Sequence, residues 1–330
     1  MKYEGYICID AGTDYCPCHL AETGDCIICS MLQGKNECNC TNWCNTCIFN
    51  DYIENGEKVK EKRKYYEGLI LEKEFVTNNV ILLNIETSYS LVKDLTLPGS
   101  FIFLKHPKSE YYYDIPISIM NVSLHKKTIE LAIEIKGPKT NKINELEINE
   151  YILLRGPYWN GIMGVNQFNN ITGSNIITIA KGIHQAPLVP VLKILSQNNN
   201  NVYSFLDTGR IQEIFIEEYL SKYTYEYNEI SFLKENKLSI EFTNILTDYI
   251  NKINPSIVFC AGSDFINTNV LQLLRSIRKD IKFTCTNNSK MSCGEGICGC
   301  CTLMNDDFKL RRLCKMQTDP EFILQGRLIY

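Results

Sequence analysis

Short runs of alternating apolar and polar residues follow a charged stretch near residue 60. They lie at residues 66–71, 80–86, 100–105, 115–122, 128–135 and 151–155, with turn residues between them. Alternation of this kind buries one face of each strand and leaves the other in water. The pattern therefore predicts a small antiparallel β-barrel.

From about residue 174 the pattern changes to short apolar runs that alternate with helical periodicity. It predicts strands at 175–180, 202–207 and 256–261, and helices at 186–197, 242–253 and 265–278. Strands and helices in this order build a parallel, doubly wound α/β sheet. We therefore expect an α+β multidomain protein in which a barrel precedes a sheet of the nucleotide-binding type.

Cysteine is distributed unevenly along the chain. Of the 16 cysteines, nine lie in the first 47 residues, none lies between Cys47 and Cys260, and five lie at 293–314. In a reducing compartment this density indicates metal binding rather than disulfides. We predict a Cys-rich metal-binding module at 1–60, the barrel at 61–170, the α/β domain at 171–284, and a cluster-binding subdomain with a tail at 285–330.

Composition limits the partners. The chain is 45% hydrophobic with a net charge of −4, which is ordinary for a soluble globular protein and leaves no concentrated basic face for nucleic acid. The N-terminus lacks an apolar signal core, and no run approaches the roughly 20 apolar residues that span a bilayer. We expect a cytoplasmic protein without a membrane or nucleic-acid partner.

The C-terminal cysteines have the most specific spacing. Cys293, Cys298, Cys301 and Cys314 follow C-x4-C-x2-C, with the fourth cysteine after twelve more residues. This spacing is typical of plant-type [2Fe–2S] sites, and glycines at 294, 296 and 299 let the loop wrap around a cluster. The alternatives are a zinc site or reduced core thiols. Cys300, beside Cys301, is a surplus thiol that is either a neighbour or an alternative ligand, and the spacing favours Cys301.

Within the first 50 residues one spacing occurs twice, a CxC followed by a CxxC. The eight cysteines are Cys16, Cys18, Cys26, Cys29, Cys38, Cys40, Cys44 and Cys47. Close pairs present two sulfurs to one metal, so the pattern predicts two tetrathiolate sites or one shared binuclear site. Zinc and an iron–sulfur cluster both fit, a redox-active dithiol is a third interpretation, and His19 could replace one thiolate.

Several stretches, in this order of modules, together resemble a known family. They are Pro-Ile-Ser at 116–118, Lys-Gly-Pro-Lys-Thr at 136–140, Arg-Gly-Pro-Tyr-Trp-Asn-Gly at 155–161, Gly-Ile-His-Gln-Ala-Pro at 182–187, and the terminal cysteine loop. With the barrel and the sheet, they resemble the electron-transfer subunit of type B dihydroorotate dehydrogenase, within the ferredoxin reductase superfamily. The resemblance covers about residues 65–320.

The resemblance implies FAD in the barrel, NAD(P)H on the parallel sheet, and a [2Fe–2S] cluster that passes single electrons to a partner catalytic subunit. The implied flavin contacts are Pro116, Ile117, Ser118, Gly137, Thr140, Gly156 and Gly161. The family has an arginine where this chain has Ile115. Without that arginine the flavin site lacks a charge-assisted hydrogen bond, which contributes about 1.5–3 kcal/mol to binding. Lys105, His106 or Lys139 would have to compensate, and an edge strand with a proline is the other interpretation of 116–118.

The implied nicotinamide site also departs from the family. Gly182 and Pro187 match the loop after the first parallel strand, but Lys181 and His184 replace two glycines, so they either add positive charge for phosphate or close the site. The later Cys-Gly-Pro signature appears only as Cys-Ala-Gly-Ser at 260–263. Asp207 could bind a ribose and Arg210 a phosphate, although an aspartate at a strand end often only caps a helix.

Two functions fit these observations. The first is an oxidoreductase subunit that moves electrons between a nicotinamide nucleotide or another donor, FAD and a [2Fe–2S] cluster. No general acid, base or nucleophile stands out, so substrate chemistry would belong to the partner. The resemblance suggests dihydroorotate as the substrate, and a paralogue with another partner is the alternative. The second function is a non-enzymatic iron–sulfur or zinc redox sensor or scaffold with degenerate nucleotide sites.

Overall fold

The structure, a computed structural model, describes residues 7–38, 47–60, 62–168, 171–304 and 310–327. The chain divides into two compact units. The central unit is Tyr65–Asn288, and the terminal unit combines Met1–Lys64 with Ser289–Ile329. The two Cys-rich ends, which the sequence suggested as separate segments, therefore fold together.

The described strands and helices are numbered in chain order. The strands are β1 (Ile7–Cys8), β2 (Tyr65–Thr77), β3 (Val80–Glu86), β4 (Phe101–Lys105), β5 (Ile115–Ser118), β6 (Asn121–Ser123), β7 (Thr128–Glu134), β8 (Tyr151–Tyr158), β9 (Ile162–Met163), β10 (Asn175–Lys181), β11 (Asn201–Asp207), β12 (Glu226–Glu229), β13 (Leu233–Lys234), β14 (Lys237–Leu238), β15 (Ile257–Ala261), β16 (Lys282–Thr286), β17 (Thr302–Met304), β18 (Leu310–Arg312) and β19 (Met316–Gln317). The helices are α1 (His19–Glu22), α2 (Ile48–Glu54), α3 (Tyr89–Asp94), α4 (Pro138–Asn144), α5 (Gln185–Gln197), α6 (Glu217–Tyr223), α7 (Ile240–Ile253), α8 (Asp264–Ile277) and α9 (Pro320–Arg327).

The first half of the central unit is a seven-stranded antiparallel sheet. Its strand order is β5-β4-β8-β2-β3-β7-β6. The edge strands β5 and β6 are separated by residues 119–120 alone, and this connection can span about 11 Å at most. The two edges therefore lie close together and the sheet closes into a barrel. Alternate residues fill its interior, as Ile81, Leu83 and Ile85 do on β3.

The second half of the central unit is an α/β sheet. Its order is β12-β11-β10-β15-β16-β9, and all neighbours are parallel except the edge strand β9. The chain moves from β10 outward to β11 and β12, then returns to place β15 on the other side of β10. Ligands of such sheets bind at this reversal, beyond the carboxyl ends of the strands. The loops after β10 and β15 therefore flank the crevice of a nucleotide-binding sheet.

The predicted fold class is confirmed, and most predicted elements lie within one or two residues of their observed bounds. The strand predicted at 80–86 is β3, and the helix predicted at 242–253 lies within α7, whose first turn is capped by Ser239 Oγ accepting from Phe242 N at 3.1 Å. One prediction was wrong. The single strand predicted at 115–122 is two strands, because the chain crosses from one sheet edge to the other at 119–120.

The terminal unit is held by pairing between its two ends. β1 pairs antiparallel with β19, with Cys8 opposite Met316. The core of its N-terminal part is small and consists of Cys16, Ala21, Cys29, Leu32 and Ile48. No helix among the described segments is long and apolar enough to cross a membrane.

Candidate cysteine and nucleotide sites

The terminal cysteine loop brings two of its four sulfurs into contact. Cys301 and Cys314 are 4% and 3% exposed, and the Cys314 thiol donates a hydrogen bond to the Cys301 sulfur. Leu313 N also donates to Cys301 O at 3.2 Å. The negative charge of Cys293 raises the pKa of Cys314, while Cys298 is exposed. The hairpin of β17 and β18 thus holds one buried pair of sulfurs beside a third.

The loop conformation depends on its glycines. Gly294, Gly296 and Gly299 have φ of 71°, 77° and 75°, a region that side chains with a Cβ rarely adopt. A Cβ on Gly296 would also lie 3.0 Å from Leu20 Cδ1. In this conformation Glu295 N donates to Cys293 Sγ at 3.2 Å, as backbone amides do around cluster sulfurs.

The contact between Cys301 and Cys314 perturbs both thiols. The hydrogen bond from Cys314 lowers the pKa of Cys301 to about 6, against the effect of burial. The same bond, with burial, raises the pKa of Cys314. The shared hydrogen bond therefore favours thiolate at Cys301 over thiolate at Cys314.

The residues present fit a [2Fe–2S] cluster. No group of three or more His, Cys, Asp or Glu side chains surrounds a single metal position in the described residues. A two-iron cluster does not require such a group, because each iron takes two thiolates and two bridging sulfides. Cys301 with Cys314 forms one such pair, and Cys293 with Cys298 would supply the other. Cys300 is exposed and accepts a hydrogen bond from Ser292 at 3.4 Å.

A buried ionic network supports this loop. Asp10 accepts from Arg63 Nη2 at 2.7 Å and from Lys315 Nζ. Glu295 accepts from Lys315 Nζ at 2.8 Å and from Arg63 Nη1 at 3.1 Å. The side chains of Asp10, Arg63 and Lys315 are 2%, 1% and 0% exposed. Two acids thus face two bases, and the network joins the N-terminal segment to residues beside Cys293 and Cys314.

The N-terminal cysteines lie in the same unit. Cys16 and Cys29 are buried, while Cys18 and Cys26 are half-buried. The charge of Cys18 raises the pKa values of Cys16 and Cys26, and the charge of Cys29 raises the pKa of Cys26. Cys16 and Cys29 belong to one small core, and Cys26 packs against it.

Two further cysteines predicted as ligands, Cys38 and Cys47, line a cavity together with Cys29. Cys38 and Cys47 are exposed, and Cys40 and Cys44 lie outside the described residues. His19 Nδ1 lies 3.0 Å from Glu22 Oε2, so its ring is bonded to a carboxylate.

Pro116 and Ser118 lie on the outer face of the barrel, whereas Ile117, which was also predicted to contact the flavin, packs against the barrel core. Ile115 points into the barrel core, whereas Pro116 on the same strand is exposed and Ser118 is half-buried. Gly137 precedes α4, where Thr140 Oγ1 accepts from Gly137 N at 3.1 Å, and no atom lies within 4 Å of a Cβ built on Gly137. This face therefore has open space for a ligand.

Arg155, the first residue of the stretch at 155–161, is a cation that lies beside this face. Arg155 Nη2 and Nε donate to Asp114 Oδ2 at 2.9 and 3.1 Å. Asp114 is the residue directly before Ile115. Tyr65 OH donates to the same oxygen at 2.7 Å. The other oxygen, Asp114 Oδ1, is buried without a hydrogen-bond partner among the described residues. Arg155 is thus a cation near this face, and its guanidinium is paired with Asp114 and with the Tyr158 hydroxyl.

Three residues proposed as compensation have other contacts. Lys139 Nζ donates to Asp114 O at 2.9 Å, and His106 Nδ1 accepts from Lys108 N at 3.0 Å. Lys105 is buried at 8% exposure, with its ammonium 5.5 Å from the Tyr65 ring centre.

Two predicted flavin glycines serve the packing of the barrel. Gly161 N donates to Gly99 O at 2.8 Å, and a Cβ on Gly161 would lie 2.6 Å from that oxygen. A Cβ on Gly156 would lie 3.0 Å from Ile102 Cγ2. Close packing therefore accounts for both glycines without a ligand.

Two side chains at the carboxyl ends of β10 and β11 are paired with each other. Lys181 Nζ donates to Asp207 Oδ2 across the carboxyl ends of β10 and β11. The same oxygen accepts from Phe232 N at 2.7 Å, and Asp207 Oδ1 accepts from Gly209 N at 2.8 Å. Lys181 also covers Gly209, since its Cε lies 3.5 Å from a Cβ built there. Asp207 therefore holds a lysine and two backbone amides.

His184 closes the other side of the reversal point. Its Nδ1 lies 3.2 Å from Lys181 O, and it is also hydrogen-bonded to Asn288. Asn288 in turn donates to Gly262 O at 2.7 Å, at the end of β15. Burial lowers the pKa of His184, so its imidazole is neutral at pH 7. Lys181 and His184 occupy the positions where a dinucleotide needs open backbone, and Lys181 is paired with Asp207 in this structure.

The other predicted nucleotide residues have structural positions. Gly182 has φ of 58° at the end of β10. Pro187 is buried in the first turn of α5. Cys260 is buried on β15, and Ser263 Oγ caps α8 by accepting from Ile266 N at 3.4 Å. Arg210 is exposed.

Comparison with known proteins gives sequence relatives that are named as subunits of two kinds of enzyme. No protein-family model matches the chain. The chain is 28% identical over 178 residues to a probable dihydroorotate dehydrogenase B (NAD(+)) electron transfer subunit of Methanopyrus kandleri. That match covers 54% of this chain and 64% of the relative, which is less than two thirds of its length. It is 26% identical to the corresponding subunit of Clostridium acetobutylicum, with 77% and 94% covered. The gamma subunit of sulfhydrogenase 2 from Pyrococcus furiosus is 24% identical, with 76% and 92% covered.

Solved structures give the fold. A chain of the NADH-dependent reduced ferredoxin–NADP oxidoreductase superposes with a TM-score of 0.62 at 18% identity, covering 80% of this chain and 93% of that one. The chain has a ferredoxin reductase-like fold and resembles the electron-transfer subunits of dihydroorotate dehydrogenase B. The CS–b5R domains of human Ncb5or superpose with a TM-score of 0.52 at 16% identity, covering 69% and 70%.

Several residues at these sites had no recognisable sequence signal. Lys315 directly follows Cys314, which is the one hint that it belongs to the cluster loop. Asp10 and Arg63 carry no motif, and only the folded terminal unit brings them to Glu295. Arg155 belongs to a predicted flavin stretch, but its pairing with Asp114 depends on the barrel.

Proposed function

We propose that this protein is the electron-transfer component of a multi-subunit oxidoreductase. The contact between the buried sulfurs of Cys301 and Cys314, within a loop of left-handed glycines, is the observation that carries the proposal. The spacing with Cys293 and Cys298 completes the thiolates that a [2Fe–2S] cluster needs. The sequence relatives support it, since those named above are electron-transfer subunits or a hydrogenase gamma subunit.

The chain's own residues would hold two redox groups. The four terminal cysteines would bind the [2Fe–2S] cluster, and the outer face of the barrel near Ser118, Asp114 and Arg155 would bind FAD. When bound, the flavin takes up two electrons and releases them singly, which a one-electron cluster requires. Lys315 is a buried cation beside Cys314, and its charge favours thiolate at that position.

The electron donor is not assigned to the crevice of the parallel sheet. Lys181 and Asp207 satisfy each other there, and His184 covers the adjoining backbone. The proposed function does not require a nicotinamide nucleotide at this crevice.

A partner oxidoreductase subunit would accept the electrons. Ile297 is 57% exposed, directly beside the exposed Cys298. An apolar side chain at the rim of a redox loop is suited to contact another protein. A catalytic subunit like that of dihydroorotate dehydrogenase, or a hydrogenase-type subunit, would fit the names of the relatives.

Anaerobic purification followed by spectroscopy tests the proposal. We expect visible absorption of a [2Fe–2S] cluster with an EPR signal after reduction, and FAD released by denaturation. The Cys301→Ser variant should lose the cluster signal, whereas Cys300→Ala should keep it. Retention of the signal in Cys301→Ser, or its absence from the wild type, would contradict the proposal.

A non-enzymatic sensor or scaffold is the second candidate, and the pairing of Lys181 with Asp207 favours it. The flavin measurement separates the two. A protein with cluster absorption but no releasable flavin, and no transfer of electrons to a one-electron acceptor, would be the sensor.

A further inference from the structure

The ionic network of Asp10, Arg63, Glu295 and Lys315 places four charges at the terminal cysteine loop. Lys315 Nζ donates to Asp10 Oδ2 and, at 2.8 Å, to Glu295 Oε2. Arg63 donates to the same two acids, at 2.7 Å to Asp10 Oδ1 and at 3.1 Å to Glu295 Oε2. The side chains of Asp10, Arg63 and Lys315 are buried. Each acid therefore contacts both bases.

Two members of the network lie beside proposed cluster ligands. Lys315 directly follows Cys314 in the sequence. Glu295 lies two residues after Cys293, and its backbone N donates to Cys293 Sγ at 3.2 Å. Because Lys315 Nζ is bonded to the Glu295 carboxylate, only the length of one glutamate separates the ammonium from an amide that contacts this sulfur. The network therefore reaches both ends of the loop that would hold the [2Fe–2S] cluster.

The N-terminal segment fixes the position of Lys315. Ile9 N donates to Lys315 O at 2.8 Å, and the neighbouring Asp10 accepts from the ammonium of the same lysine. Arg63 is held in turn by the ring of Tyr15, whose centre lies 4.1 Å from the guanidinium carbon. Both the backbone and the side chain of Lys315 are thus bonded to residues from the other end of the chain.

Stability gives only a weak reason for these four charges. Taking charged groups out of water costs free energy that their mutual attraction returns only in part, and apolar residues of similar volume often stabilise a fold as well. Charge near an iron–sulfur cluster has a second effect, because an electron taken up by the cluster adds a negative charge. A nearby cation favours that uptake and a nearby anion opposes it. Buried charges act strongly, since salt screens them much less than exposed ones.

We propose that the ionic network sets the reduction potential of the [2Fe–2S] cluster. Lys315 is the cation that favours reduction, Asp10 and Glu295 are the anions that limit its effect, and Arg63 holds the two acids in place. All four act as positioning residues through their charge and are not ligands. The inference rests on the proposed function, because it requires the cluster. It gives the N-terminal segment a role in tuning a centre at the opposite end of the chain.

A redox titration of anaerobically purified full-length protein, followed by the EPR signal of the reduced cluster, tests the inference. Lys315→Met removes the cation and keeps an unbranched chain, so the equilibrium constant for reduction should fall. Glu295→Gln removes an anion and keeps an acceptor oxygen, so the constant should rise. A unit charge about 10 Å away at an effective dielectric constant of about 20 changes the constant roughly tenfold. A tenfold change is about 59 mV for one electron.

A half-exposed ion pair of the same unit supplies matched controls. Lys60 Nζ lies 3.2 Å from Asp51 Oδ2, and the two side chains are 35% and 25% exposed. Lys60→Met and Asp51→Asn make the same changes of charge where water and salt screen them, so each should change the constant less than about twofold. Lys315→Arg keeps the positive charge and should recover most of what Lys315→Met loses.

Shifts of opposite sign in Lys315→Met and Glu295→Gln would support the inference, because a general loss of loop order would move both variants in one direction. Shifts of the same sign, shifts no larger than those of the controls, or loss of the cluster from both variants would overturn it, since the network would then be structural. If one variant alone keeps its cluster, the sign of its shift decides. Failure of the proposed function would appear separately, as a wild-type protein without the EPR signal of a reduced cluster.

Discussion

Asp10→Asn should strongly destabilise the terminal unit. The carboxylate is 2% exposed and accepts from Arg63 at 2.7 and 3.2 Å and from Lys315. Asparagine keeps one acceptor oxygen and turns an NH₂ group toward the two cations, which would then share Glu295 as their counter-ion. Breaking a buried ion pair from one side costs about 3–5 kcal/mol. That is a large part of the 5–15 kcal/mol typical of a domain.

Urea unfolding of the iron-loaded protein measures this cost. Loss of cluster absorption reports the terminal unit, and the far-ultraviolet signal reports mainly the larger central unit. Asp25→Asn is the matched control, because Asp25 pairs with Arg312 at 3.2 Å in the same unit but is 51% exposed. An exposed pair contributes about 0–1 kcal/mol. The reasoning fails if the two variants lose the same stability, or if Asp10→Asn loses less than about 1 kcal/mol.

The same network predicts a pH dependence. Burial alone would raise the pKa of Asp10, but Lys315 and Arg63 outweigh it and hold the pKa below its usual value of 3.8. A carboxylate with a lowered pKa in the folded state stabilises the fold above its unfolded pKa. The contribution of Asp10 should therefore be complete above pH 3.8 and disappear as the pH falls through the lower, folded value. Asp10→Asn should abolish this part of the acid dependence in urea unfolding.

Three further predictions concern the central unit. Burial holds the pKa of His184 below 6.5. The free energy of unfolding should therefore fall as the pH drops below 6.5, by at most about 1.4 kcal/mol per pH unit. His184→Asn should flatten that dependence in urea titrations. Lys181→Gly frees Asp207 for a ribose and should tighten NADH binding by roughly tenfold in calorimetry. The reasoning fails if the wild type already binds NADH tightly and this change weakens the binding. Gly161→Ala should cost about 3 kcal/mol in thermal unfolding because its Cβ meets a backbone oxygen, and Gly137→Ala, which meets no atom, should cost far less.

The agreement between sequence and fold is closest where the signal is local. The alternation at 80–86 is β3 and the apolar run at 175–180 lies within β10, because a strand's period and burial are set by its own residues. The split at 119–120 was missed, since nothing in the alternation distinguishes a strand that continues from one that crosses to the opposite edge of a barrel.

The candidate sites divide in the same way. Cysteine spacing is a property of a short segment, so the sequence by itself determined which thiols are candidates at both ends of the chain. Only the tertiary structure decided that these ends share one unit, through Asp10 and Lys315, which are 305 positions apart. It also decided that Lys181 is paired with Asp207 rather than exposed to a phosphate. Ion pairs between distant residues depend on how the elements pack, and no local pattern encodes them.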